Sequence, residues 1–154
     1  FFQIPRLPEW LLGRDDAKNI GQMFVNSGGA EDMFPPAVVE VYRKNANQPG
    51  ALTAMINYYR GLFKKQKSVS AEDVAIIDTP TLMVWGEDDV ALSKETTYGT
   101  ENYVSDFRIR YLPRISHWVQ QEAPAAVNAM MSAFLRDKPI PEAHWVMELT
   151  EPTE

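Results

Sequence analysis

The chain has 154 residues, a net charge of −6, a hydrophobic share of 45% and no cysteine. That length is enough for one ordinary domain. The net charge is acidic and the two basic-looking stretches are short, which argues against recognition of a nucleic-acid backbone. The missing cysteines exclude a disulfide framework and thiolate chemistry, and no apolar run has the length of a bilayer span. Phe1-Phe2-Gln3-Ile4-Pro5 has neither a start methionine nor the basic stretch of a targeting peptide, so it reads as the interior of a longer sequence, with a cytoplasmic location as the expectation.

Residues 1 to 67 contain no good strand. Pro8 opens a short helix through Leu12. Asp15 or Asp16 caps a second one to about Val25, and Asn26-Ser27-Gly28-Gly29 ends it. Pro35-Pro36 starts a third helix through Tyr42, closed before Pro49-Gly50. A fourth runs from Ala51 to Lys65. Its apolar positions Leu52, Met55, Ile56, Tyr59, Leu62 and Phe63 follow the 3.6-residue period of one buried face, with Thr53, Asn57, Arg60 and Lys64 opposite. The pattern changes at Lys67-Ser68-Val69-Ser70. Pro80 to Trp85, closed by Gly86, reads as a buried strand of a parallel sheet. Ser93 to about Tyr103 reads as a helix weakened by Gly99, Asp106 to Leu112 as a second strand, and Pro124 to Arg136 as a helix. Strand, helix, strand, helix is α/β organisation. Two strands do not make a self-sufficient sheet of this kind, so further strands are expected from sequence outside this chain. The tail from Lys138 to Glu154 is rich in Pro and Glu, with one apolar patch at Trp145-Val146-Met147.

Two loops carry chemistry. Asp89 follows the first strand and His117 the second, and ligands of open α/β sheets gather beyond the carboxyl ends of strands. Parallel neighbouring strands would bring the acid and the imidazole to one edge. The carboxylate would then fix the ring tautomer, leaving the other nitrogen as general base. Asp88 is a rival for the acid and Glu87 a weaker one, and adjacent carboxylates are also what a solvated turn contains. His144 lies in the tail with no strand before it and reads as structural or exposed. Tyr59 sits on the apolar helix face, where packing is the ordinary role. A hydroxyl there is also placed to donate to a developing oxyanion. None of Ser27, Ser68, Ser93, Ser105, Ser116 or Ser132 sits in a Gly-x-Ser-x-Gly elbow.

Four segments in order resemble the C-terminal part of an epoxide hydrolase of the α/β-hydrolase fold. Phe2-Gln3-Ile4-Pro5-Arg6-Leu7-Pro8-Glu9 is similar to the opening of that family's helical cap, and Ala54-Met55-Ile56-Asn57-Tyr58-Tyr59-Arg60 to its cap motif. Pro80 to Leu92 is similar to its acid loop, and His117-Trp118-Val119-Gln120-Gln121-Glu122-Ala123-Pro124 to its histidine loop. The resemblance implies a partial α/β-hydrolase core over residues 68–154 with an all-helical cap over residues 1–67. It implies Asp89 as charge-relay acid, His117 as water-activating base and Tyr59 as a cap tyrosine that holds the epoxide oxygen. The substrate class is a small hydrophobic epoxide, hydrolysed to a vicinal diol without metal or cofactor. The nucleophilic aspartate, the oxyanion loop and the first cap tyrosine are expected in an N-terminal half, on the same or a separate chain. Ser116 stands where the family usually has glycine. A haloalkane dehalogenase would use the same pair with other donors, an esterase would use an upstream serine, and an isolated fragment would not catalyse at all.

Overall fold

The computed structural model describes residues 1–27, 33–63, 70 and 74–143. The expectations for His144 and the Trp145-Val146-Met147 patch lie outside them, as does the end of the helix expected to reach Lys65. Among the described residues, no helix is long and apolar enough to cross a membrane. Contacts divide the chain into two compact units: Phe1–Asn26 with Phe34–Ser68, and Ser27–Met33 with Val69–Glu154.

The first unit is helical, with α1 at Leu7–Ser27, α2 at Pro36–Ala46 and α3 at Ala51–Leu62. A kink divides α1 into the two helices that the sequence suggested. Arg14 is extended, and Asp15, Asp16 and Ala17 take left-handed φ values of 52°, 55° and 55°. Aspartate tolerates that region better than most residues, because its short side chain bonds locally. The break frees backbone carbonyls, and Arg43 of α2 reaches back to those of Asp16 (2.9 Å) and Asp15 (3.0 Å). Ala17, Ile20 and Ala46 form the small core, with Leu12, Phe24 and Leu52 packed against it. Phe24 stacks on Tyr42 with ring centroids 3.9 Å apart.

The third helix of this unit corrects the expectation of a wholly buried apolar face. Ile56 is buried, but Met55, Tyr59, Leu62 and Phe63 are exposed. The stripe is longer than the surface that α1 and α2 provide. Arg60 is corrected in the opposite sense. Expected on the solvated side, it donates to both carboxylate oxygens of Glu9 and to the carbonyls of Phe2 and Ile4.

The second unit holds β1 (Thr81–Gly86) and β2 (Phe107–Leu112), which pair in parallel from Thr81↔Phe107 to Gly86↔Leu112. The first strand is half-buried up to Gly86 rather than fully buried. Among the described residues the sheet has two strands only. The short α4 (Val119–Glu122), not anticipated from sequence, precedes α5 (Pro124–Leu135), which has Pro at its start. Leu82 and Val84, alternate residues of one strand face, join Leu112, Ile115, Val119, Val127 and Met130 in the core. The residues after α5 also pack here. Ile140 is buried, and Arg110 donates to the carbonyls of Pro141 (3.1 Å) and Ile140 (3.0 Å).

The helix expected over Ser93–Tyr103 does not form. Two 3₁₀ turns, Lys94–Thr97 and Thr100–Asn102, take its place. Extended Tyr98 ends the first turn, and Gly99, with φ of 85°, opens the second. The hydroxyls of Thr96, Thr97 and Thr100 bond to carbonyls three residues back, satisfying the backbone locally in place of a continuous helix.

Candidate active site

The register of β1 and β2 ends both strands at the same level, and backbone bonds continue past that level. The Glu87 amide donates to the Leu112 carbonyl and the Asp88 amide to the Ile115 carbonyl, each at 3.0 Å. The two following loops are therefore sutured side by side. Gly86 permits this closeness. A Cβ there would lie 2.1 Å from the Ser116 carbonyl oxygen and 2.4 Å from that of Ile115.

Within these loops Asp89 and His117 meet. The His117 Nδ1 atom lies 2.9 Å from Asp89 Oδ2 and 3.0 Å from Oδ1. The Asp89 side chain is 5% exposed and that of His117 32%. Oδ1 also accepts from the amides of Ala91 (2.8 Å) and Leu92 (2.9 Å). Burial pushes the Asp89 carboxyl up. The Leu92 amide, the His117 ring and the Ala91 amide outweigh that and hold it below the ordinary aspartate value. An ionised carboxylate only accepts hydrogen bonds, so the His117 nitrogen that faces it, Nδ1, is the donor. The arrangement is an imidazole oriented through Nδ1 by a buried carboxylate.

Asp88 and Glu87 do not share this geometry. Asp88 is exposed, and Glu87 pairs with Lys94 across the acid loop. Ser116 needs no glycine-like backbone. The left-handed residue in this loop is Arg114, with φ of 61°. Among the described residues no three His, Cys, Asp or Glu side chains come together as a metal site. Tyr59, in the other unit, lies on α3. It is 45% exposed and stacks on Phe2 with centroids 4.9 Å apart.

No protein-family model matches the chain. Over 143 residues it is 36% identical to epoxide hydrolase 4 of Mus musculus, a match covering 90% of this chain and 39% of that protein. It is 31% identical over 138 residues to the AB hydrolase superfamily protein YfhM of Bacillus subtilis strain 168, covering 90% of this chain and 47% of that one. The solved epoxide hydrolase of Bacillus megaterium, in complex with an inhibitor, superposes with a TM-score of 0.72 at 26% identity, covering 88% of this chain and 49% of that one. The chain is homologous to the epoxide hydrolases of the α/β-hydrolase fold. It spans 39% to 49% of the length of these three relatives. The parallel strand pair flanked by helices, in a chain that also holds a helical unit, is consistent with a partial α/β-hydrolase core plus a helical cap.

The same homologue contains two polar residues that sequence reasoning did not single out. Glu9 meets Arg60 through both carboxylate oxygens, at 2.6 and 3.2 Å. This bond to the guanidinium is the leading reason its carboxyl lies below the usual glutamate value. Glu122 accepts the amides of Ser116 (2.8 Å) and Trp118 (3.0 Å), one on each carboxylate oxygen. Glu122 lies four residues after Trp118, the N-cap of α4, and reaches back to that residue's amide.

Proposed function

We propose that this chain supplies the acid–base half of an epoxide hydrolase. In this reading residues 1–67 belong to the cap and residues 68–154 to the core. The hydrogen-bonded pair of Asp89 and His117 carries the proposal, supported by the homology. An aspartate of the N-terminal half attacks one carbon of a small hydrophobic epoxide, and the C–O bond breaks to give an aspartyl ester. Tyr59 donates to the ring oxygen, and the opened oxygen takes up its proton through that bond. His117 Nε2 then removes a proton from water, whose oxygen attacks the ester carbonyl. Asp89 holds the ring tautomer and balances the imidazolium charge. Collapse of the adduct releases the vicinal diol and the aspartate carboxylate, and the proton that His117 took from water passes by way of solvent to the tyrosine, restoring both groups.

The test uses the complete protein and a hydrophobic terminal epoxide. Under single-turnover conditions in heavy-oxygen water, the diol is expected unlabelled and the enzyme labelled. This follows because the diol takes its new oxygen from the nucleophile and water repays it. Label in the diol would overturn the covalent route. Tyr59→Phe is expected to lower kcat/KM about 10²-fold, the cost of one oxyanion donor. An unchanged rate would remove Tyr59 from the reaction, and turnover of a haloalkane without turnover of the epoxide would favour a dehalogenase.

A further inference from the structure

We propose that Glu122 is a positioning residue that holds the catalytic His117 through its backbone. The inference rests on the reading of His117 as the base of ester hydrolysis. The two partners of the pair are secured differently. Asp89 is fixed through its own side chain, because Oδ1 takes two amides of its own loop. His117 bonds Asp89 through Nδ1 alone and follows a stretch, Pro113–Ser116, that is neither strand nor helix. Its ring direction therefore depends on the peptide planes on either side of its Cα. The plane after its Cα carries the Trp118 amide, the plane before it follows directly on the one that carries the Ser116 amide, and both amides go to one carboxylate.

A carboxylate is the group suited to this. It accepts on two oxygens at once, and amide bonds to a charged acceptor are stronger than neutral ones. Glu122 is itself held by the chain. It ends the four-residue α4, whose N-cap is Trp118 and whose C-cap is the buried Ala123. Pro124 then starts α5 at once. The carboxylate thus closes a short ring of backbone around His117, with its far side anchored on the core through Val119 and Ala123. On the other side, Gly86 lets the Ser116 carbonyl lie against the end of β1.

The role separates the two chemical steps. Ester formation uses the nucleophile and the tyrosines, whereas ester hydrolysis uses His117. In the complete protein, Glu122→Ala is expected to slow hydrolysis on the order of 10–100-fold, the penalty for a misdirected catalytic group. Slower hydrolysis lowers kcat and KM together and leaves kcat/KM nearly unchanged. The aspartyl ester should accumulate and be visible by intact mass, as it should in a His117→Gln control. Glu122→Gln keeps the volume but offers a single acceptor oxygen, so it should fall between the two and carries the test if the alanine variant does not fold. Folded Glu122 variants that build up no ester while His117→Gln does would overturn the proposal. No ester even in His117→Gln would instead overturn the epoxide reading and the proposal with it. A readout independent of substrate is the downfield Nδ1 proton of His117 in NMR. It should weaken or vanish in Glu122→Gln, and an unaltered resonance counts against the role.

Discussion

Gly86→Ala tests how the loops are held together. The added methyl group would sit 2.1 Å from the Ser116 carbonyl oxygen, 2.4 Å from that of Ile115 and 2.8 Å from the Ile115 carbonyl carbon. A relaxed carbon–oxygen contact needs about 3.3 Å. All three obstacles are backbone atoms, so no rotamer change relieves them. The histidine loop must retreat by about 1 Å, which stretches the bond from the Asp88 amide to the Ile115 carbonyl. Overpacking costs roughly 1–3 kcal/mol and the weakened backbone bond about 1 kcal/mol, so destabilisation of roughly 2–4 kcal/mol is expected. In a protein of this class that lowers Tm by about 5–10 °C. The same displacement pulls His117 from Asp89, and misplacing a catalytic group by about 1 Å costs on the order of 10²-fold in rate. Scanning calorimetry and steady-state hydrolysis of the complete protein measure the two effects. A variant with unchanged Tm and unchanged kcat would refute the reasoning, because it would mean the strands do not approach as described.

The remaining predictions follow from burial and charge. Asp89 has a folded pKa below its unfolded value. Its contribution to stability is therefore complete above the unfolded pKa of about 4 and is lost as pH falls through the lower folded value. Asp89→Asn should be less stable than the parent at neutral pH, with the gap closing on acidification. A gap that is constant with pH, followed by urea titration, would contradict this. Met130 is fully buried in the core of the second unit, and Met130→Ala should cost roughly 2–5 kcal/mol. A loss below about 1 kcal/mol in denaturant unfolding would mean that the site collapses around the smaller side chain.

The strands and the pair at their ends were legible because each signal is local. An apolar run closed by glycine specifies a strand end, and an acid or imidazole just beyond it specifies the edge where a ligand would sit. The turns over 94–102 were not legible, because an apparently helical stretch lost to threonine hydroxyls and Gly99, each bonding or bending locally. Arg60 was misplaced for a different reason. A helical wheel sorts residues by charge, and a guanidinium that fills a carboxylate and two carbonyls carries the same charge as one in solvent. Glu122 escaped notice because it acts on amides, which every residue has and no sequence displays. The break in α1 was legible from its two aspartates, but its left-handed backbone was not.

The Asp89–His117 contact joins residues only 28 apart, although the histidine loop also reaches back to Ser27 through the Ser116 hydroxyl and the Trp118 indole. Closing so short a segment costs little chain entropy. The contact between the acid and the imidazole is thus set mainly by a short stretch of chain. In the proposed reading, the attacking group upstream can vary while the contact between Asp89 and His117 is kept. The chemistry of such a protein can diverge at one end while the other end is inherited unchanged.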